Sequence, residues 1–282
     1  NLLEIGVQNG GSLEIWAQYF QNAKKLVGCD IDPRCRTLHY KDPRITIVIG
    51  DSTNADTAQT IFDNENEFDL IIDDGSHTSD NVIRSFARYF PHLRVGGEYL
   101  IEDLHCSYWR SWGGGLFNRF SSIAFFKSLV DVINSQHFLQ RPSQLLSEIE
   151  AKYGIHLSDE LLTSIHSVIF LNSICMITKR APRDNLLGER IVVGTECQID
   201  SSPIAVKGTS AVLDVNYLRD NELNTDNRDL TWEKQVAVLD QTLAERDREL
   251  GRLGDALAER DANVAALNQE TQALKQAVTE RD

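Results

Sequence analysis

The chain has 282 residues, enough for one domain with a substantial core plus an appendage. A net charge of −14 argues against a general nucleic-acid binder, because no basic face is evident to neutralise phosphates. No run reaches the roughly 18 apolar residues of a membrane span and no signal peptide is visible; five cysteines without a C-x-x-C pair read as those of a reduced, cytoplasmic protein. The chain opens Asn-Leu-Leu-Glu without an initiator Met, which reads as a fragment lacking its true N-terminus. In chain order, "LLEIG" (2–6) predicts a strand ending in glycine, and "GSLEIWAQYF" (11–20) has helical spacing. Strands are predicted at "KLVGCDID" (25–32), "ITIVIGD" (45–51) and "FDLIID" (68–73). A helix through "DNVIRSFARYFPHL" (80–93) and a strand "GGEYLIED" (96–103) follow, and "SVIFLNSICMITK" (167–179) reads as two strands joined near Asn172 and Ser173.

This alternation predicts an α/β fold: a Rossmann-like, mostly parallel sheet with helices on both faces. Its strands end, in order, in Glu4, Asp30, Asp51, Asp73 with Asp74, and Glu102 with Asp103. In such a sheet all of these ends share the carboxyl edge, where ligands bind. An ionised carboxylate needs water, a cation or donors nearby, so five acidic ends in succession point to a ligand rich in hydroxyl and amine donors or in positive charge. S-adenosylmethionine has ribose hydroxyls, an adenine amine, an α-ammonium and a sulfonium.

Residues 184–228 read as a linker or small extension and carry no assigned function. From 229 the pattern changes. "ERD" recurs at 245–247, 259–261 and 280–282, at multiples of seven. With Val236 at heptad position a, the seam runs Val236, Leu239, Leu243, Arg246, Leu250, Leu253, Leu257, Arg260, Val264, Leu267, Thr271, Leu274 and Val278. Ten of these 13 positions are apolar, which favours a coiled coil, and hence a homo-oligomer, over a single charged helix acting as a spacer. The predicted organisation is therefore a domain over 1–183, a linker over 184–228 and a coiled coil over 229–282.

"EIGVQNGGS" (4–12) is a glycine-rich strand-to-helix turn that lets a ligand approach the backbone. The G-x-G-x-x-G order of dinucleotide folds is absent, and Asp51 and Asp73 are no part of that fingerprint. The pattern resembles the class I S-adenosylmethionine-dependent methyltransferases. The resemblance implies that Glu4, Gly6, Gly10, Gly11 and Ser12 hold the methionine end, that Asp30 binds the ribose, and that Asp51, with Ser52 beside it, accepts from the adenine amine. Asp32 either assists Asp30 or solvates the turn at Pro33.

"IDDGSH" followed by "IEDLHCSYW" resembles, over residues 2–180, a subgroup of metal-dependent sugar O-methyltransferases. In that subgroup the matching residues imply Mg²⁺ ligands at Asp74, Glu102 and Asp103 and a general base at His77, with Asp73 facing the cofactor. The bare residues agree. Three hard oxygen donors at adjacent strand ends suit Mg²⁺, and a histidine neutral near pH 7 is able to take a hydroxyl proton. His77 also has a plainer reading as a cap of the helix after it. "SYWRSWGGG" (107–115) reads as a flexible lid carrying Tyr108, Trp109 or Trp112 over a sugar; the alternative is that Tyr108 and Trp109 pack the core.

The expected activity is thus S-adenosylmethionine- and Mg²⁺-dependent O-methylation of a sugar or glycan hydroxyl, in polysaccharide or glycoside biosynthesis. The alternatives are a non-catalytic cofactor-binding scaffold presented by the coiled coil, and an O-methyltransferase acting on a phenol or catechol.

Overall fold

The computed structural model describes residues 1–194 and 199–212, and, in the tail, 248, 250–254, 257 and 260. Residues up to 212 belong to one compact unit. Its elements are β1 (Leu2–Ile5), α1 (Gly11–Tyr19), β2 (Leu26–Asp30), β3 (Ile45–Ile49), α2 (Ala55–Asn64), β4 (Phe68–Asp73), α3 (Ser79–Tyr89) and β5 (Leu93–Ile101). Then come α4 (Ser122–Ile133), α5 (Pro142–Tyr153), α6 (Asp159–Thr163), β6 (Ile165–Leu171) and β7 (Ile174–Lys179). They form a seven-stranded sheet in the order β3-β2-β1-β4-β5-β7-β6. The first five strands are parallel. β7 runs antiparallel to both of its neighbours, β5 and β6. The order reverses between β1 and β4, which makes a crevice at the carboxyl edge of those two strands.

Both faces of the sheet are covered, as the apolar runs of a parallel sheet require. On β1, Leu3 and Ile5 join one core with Val27, Ile71, Phe86 and Phe125. Leu2 points the other way, into a smaller core with Val7, Leu13, Leu26 and Ile72. α3 contributes Val82, Ile83, Phe86 and Tyr89 to the larger core. There Phe86 stacks on Phe90 at 4.7 Å and meets Tyr99, Phe125 and Phe126 edge-on at 5.2–5.6 Å. Edge-to-face contacts of this kind add to area burial because ring edges and faces carry opposite partial charge.

Helices α4, α5 and α6 were not expected from the sequence. They occupy the stretch between β5 and the final hairpin, and place Phe125, Phe126, Leu129, Leu146 and Leu162 in the larger core. β5 begins three residues before the expected start, at Leu93, because Leu93 pairs with Phe68 across a register shift in β4. The start of the expected linker docks on this domain: Asn185 donates to the carbonyls of Thr163 and Ile165, and its own carbonyl accepts from Gln136. Further on, Glu189 and Ser210 form an antiparallel bridge. In the tail the described residues are helical. Leu250, Leu253 and Leu257 among them are exposed. The rest of the heptad seam lies outside the described residues.

One buried cation closes the far side of the sheet. Lys179, at the end of β7, donates to the carbonyls of Phe90, Pro91 and Leu93 at 2.8–3.0 Å, where the chain turns from α3 into β5. A methionine there would keep most of the apolar stem but strand three acceptors. Lys179→Met is expected to lower stability by about 1–3 kcal/mol in urea denaturation, the scale of leaving buried polar groups unsatisfied. An unchanged midpoint would show that the three carbonyls do not depend on the ammonium.

Candidate active site

The crevice at the strand reversal is a cleft of ≈ 1000 Å³. It is walled by the glycine-rich turn after β1, the ends of β2 and β3, and the turn after β4. The glycine-rich turn works by close approach. Gly6 has φ +95°, and a Cβ there would lie 2.1 Å from the carbonyl oxygen of Asp74. Gly10, the residue before α1, has φ +78°, and its Cβ would lie 2.0 Å from the Tyr40 hydroxyl. Any side chain at either position would push the wall apart and would force a backbone that L-residues resist.

Three acids at the cofactor wall behave differently from one another. Asp30 accepts three backbone N–H groups, from Val7, Gln8 and Asp32, all at 2.8 Å. It therefore ties the glycine-rich turn to β2. Although burial opposes ionisation, these donors hold its carboxyl below the usual range. Asp51 spends Oδ1 on the backbone and hydroxyl of Thr53, both at 2.8 Å, which leaves its other oxygen for the cleft. Asp32 is engaged by Arg34, whose guanidinium and backbone N–H hold it down to about 2. It caps the turn at Pro33.

Gly6, Gly10, Gly11, Ser12, Asp30, Asp32, Asp51, Ser52, Asp73, Asp74, His77 and Asp103 all line the cleft. Glu4 and Glu102 do not. Glu4 is buried beneath the wall, where it accepts from Ser12 Oγ at 2.9 Å and Trp16 Nε1 at 3.2 Å, and burial pushes it up to about 7. Its direct partners are the residues of α1. Gln8, Asn9, Asn81 and Ser85 also line the cleft. Sequence reading missed them; polar residues at a helix start or in a glycine-rich turn carry no signal that separates them from solvent-facing ones.

Beyond the cofactor wall lies a second group. Asp73 is 3% exposed, and burial pushes it up to about 7. Its Oδ1 receives a long contact of 3.4 Å from the Gly75 N–H. The fully buried Tyr99 hydroxyl lends it a weak contact that falls short of a hydrogen bond. Next to it, Asp74, His77 and Asp103 each offer one ligand atom within 4.8 Å of the others. His77 Nε2 is 4.0 Å from Asp74 Oδ1 and 3.8 Å from Asp103 Oδ2. Burial, and then the neighbouring Asp103, raise the Asp74 carboxyl above its usual range. Glu102 is raised by burial and by Asp74 and Asp103, so it shares their field while its carboxylate stays outside the group of three. Burial lowers His77 below 6.5.

Two of the three grouped residues sit in left-handed backbone, His77 at φ +56° and Asp103 at φ +49°. Such conformations are uncommon outside glycine and collect at functional sites. Here they turn both side chains over Asp74. The turn after β5 is fastened from the last hairpin: Ser173 accepts the Leu104 N–H on its carbonyl at 2.8 Å, and its hydroxyl pairs with His105 Nδ1 at 2.6 Å.

The loop 107–115 is cross-braced. Gly114 N–H donates to Trp109 and Gly115 N–H to Ser107, and a Cβ on Gly114 would lie 1.9 Å from the Ser107 carbonyl oxygen. Trp112 lies beside His77 at 5.9 Å, and Trp109, 54% exposed, meets His105 edge-on. These rings border the grouped acids and do not pack the core.

Comparison with known proteins finds methyltransferases. Residues 3–104 match the family model described as a methyltransferase domain. The chain is 37% identical over 145 residues to demethylmacrocin O-methyltransferase of Streptomyces fradiae, which covers 48% of this chain and 36% of that protein. It is 34% identical over 166 residues to mycinamicin VI 2''-O-methyltransferase of Micromonospora griseorubida, covering 55% and 41%. Thus it spans less than half the length of these curated relatives. The solved structure of MycE methyltransferase from the mycinamycin pathway, in complex with Mg and SAH, superposes with a TM-score of 0.53 at 30% identity, over 64% of this chain and 45% of that one. By sequence and fold together, residues 3–104 match a methyltransferase domain, and the chain is similar to the O-methyltransferases just described.

Proposed function

We propose that this chain is an S-adenosylmethionine- and Mg²⁺-dependent O-methyltransferase acting on a sugar hydroxyl, in glycoside or polysaccharide biosynthesis. The observation that carries the reading is the meeting of Asp74, His77 and Asp103 at the mouth of a cleft whose other wall is the glycine-rich turn. The donor set fits a hard divalent cation: carboxylate oxygens held near one another at a cost in repulsion that a cation relieves. Asp74 and Asp103 would hold it, with Glu102 close enough to join. Bound there, Mg²⁺ would ease deprotonation of a coordinated hydroxyl. The acids of the cofactor wall favour a partner carrying ammonium and sulfonium charge.

The chain's own groups divide the work. Asp30 fixes the glycine-rich turn against β2. Asp51 presents one free oxygen to the cleft. Asp73 lies buried at the floor between cofactor wall and metal group. His77, neutral near pH 7 because it is buried, takes the proton that the acceptor hydroxyl loses when its oxygen takes the methyl group and the sulfonium becomes a thioether. Trp109 and Trp112 offer flat faces to a sugar ring. Much of the rate then comes from alignment.

The heptads of 229–282 support reading the tail as a coiled coil that joins copies of the chain, and the odd cysteine count without paired spacing supports a cytoplasmic protein. No helix among the described residues is long and apolar enough to cross a membrane.

Three outcomes are expected. Asp74→Ala and Asp103→Ala should each cut transfer to a glycoside acceptor by roughly 100-fold or more while S-adenosylhomocysteine binding by calorimetry stays within about threefold, because metal and cofactor use different walls. Turnover indifferent to EDTA would refute the metal reading. In a kcat/KM profile, activity should fall as pH drops, because protonated His77 cannot accept a proton. The midpoint should lie below 6.5, since burial depresses the imidazole, and His77→Gln should abolish that limb. Finally, removing residues after Asn227 should turn an oligomer into a monomer in light scattering, with transfer retained; equal monomeric masses would reduce the tail to a spacer.

A further inference from the structure

His77 stands closer to the metal group than a free proton acceptor needs to. Its Nε2 is no farther from the two carboxylates than 4.0 Å. The donor atoms of a tetrahedral zinc, with bonds of ~2.0 Å, lie roughly 3.3 Å apart. Closing the group around such an ion moves Nε2 about 0.5–0.7 Å nearer each carboxylate, and brings together donor atoms that now lie within 4.8 Å of one another by at most about 1.5 Å. The left-handed backbone at His77 and Asp103 already aims both side chains at Asp74.

The other imidazole nitrogen tells against permanent ligation. In dedicated sites the second nitrogen donates to a carboxylate, carbonyl or water that fixes tautomer and ring. His77 Nδ1 is buried and has no such partner among the described residues. Among the described residues no protein group locks the ring into the ligand role. The ion then decides. Hard Mg²⁺ prefers oxygens and keeps several waters. Borderline ions such as Zn²⁺ and Co²⁺ favour imidazole.

We propose that His77 is a conditional metal ligand: Mg²⁺ leaves Nε2 free to take the acceptor proton, whereas Zn²⁺ or Co²⁺ draws Nε2 into its sphere with Asp74 and Asp103, binding more tightly and silencing the site. The inference rests on the metal-site reading of Asp74 and Asp103 given above. It makes the enzyme selective among cations through its base, and makes trace zinc an inhibitor that excess Mg²⁺ displaces slowly.

The test is calorimetry of the full chain with Mg²⁺ and with Zn²⁺, on the wild type, His77→Gln and His77→Asn, with Asp74→Ala as the background for zinc bound elsewhere. Zinc should bind the wild type about 100-fold more tightly than Mg²⁺, and both His77 variants should lose at least about tenfold of that affinity while Mg²⁺ affinity moves less than about threefold. With Co²⁺, the visible absorption of the wild type should be stronger than that of His77→Gln, whose site keeps only oxygen donors. Circular dichroism and S-adenosylhomocysteine binding confirm that the variants fold. If wild-type chain fails to bind Mg²⁺, the underlying metal reading falls. If Mg²⁺ binds but zinc affinity is the same with and without His77, or zinc binds no better than Mg²⁺, the conditional-ligand proposal alone is overturned.

Discussion

The site depends on one backbone contact. Gly6 lies so close against the carbonyl of Asp74 that no side chain fits between them, and the Asp74 N–H donates to Ile5 at 2.9 Å. The turn that walls the cleft and the turn that begins the group of Asp74, His77 and Asp103 are therefore parts of one packed unit. Asp30 fastens the first turn from the β2 side, and Glu102 N–H fastens the second from the β5 side by donating to Asp73 at 2.9 Å. Four neighbouring strands thus deliver their polar ends to one place, through main-chain hydrogen bonds among β1, β4 and β5 and through the Asp30 carboxylate from β2. The chemistry is then written in the few side chains that the turns expose.

Charge is managed by position along a burial gradient. At the rim, Asp32 pairs with Arg34 and stays well ionised. In the wall, Asp30 is ionised because three N–H groups solvate it in place of water. Deeper, Glu4 and Asp73 are poised near neutrality, since the donors they find do not replace the water they lost. A pocket graded in this way responds to an incoming cation most strongly at its floor.

The acidic strand ends were legible in the sequence because a parallel sheet gives every strand the same polarity. Once the alternation of apolar runs and glycine turns is read, the carboxyl edge follows. What a residue at that edge touches was not legible. Glu4 lies at a strand end like the others, yet its neighbour is α1, because β1 is central and its inner face is roofed by Ser12 and Trp16. Glu102 and Asp103 are adjacent in sequence, yet Asp103, in left-handed backbone, lines the cleft and Glu102 does not. Helices α4 to α6 escaped notice since their apolar residues are mixed with serines and glutamines, and tertiary packing on the Phe86 cluster decides their fate. The loop 107–115 looked mobile from its three glycines, but Gly114 is there for close packing against Ser107.

The position of β7 has a consequence for the order of events at the ribosome. It is the last strand of the sheet to be made, yet it lies inside it, between β5 and β6. The hairpin tip just before it holds both Leu104 and His105 through Ser173. A nascent chain that has emerged only as far as Asp103, just past β5, carries all of the acidic residues but lacks the brace that sets the turn bearing Asp103. The group of Asp74, His77 and Asp103 is braced in full only when the closing hairpin inserts.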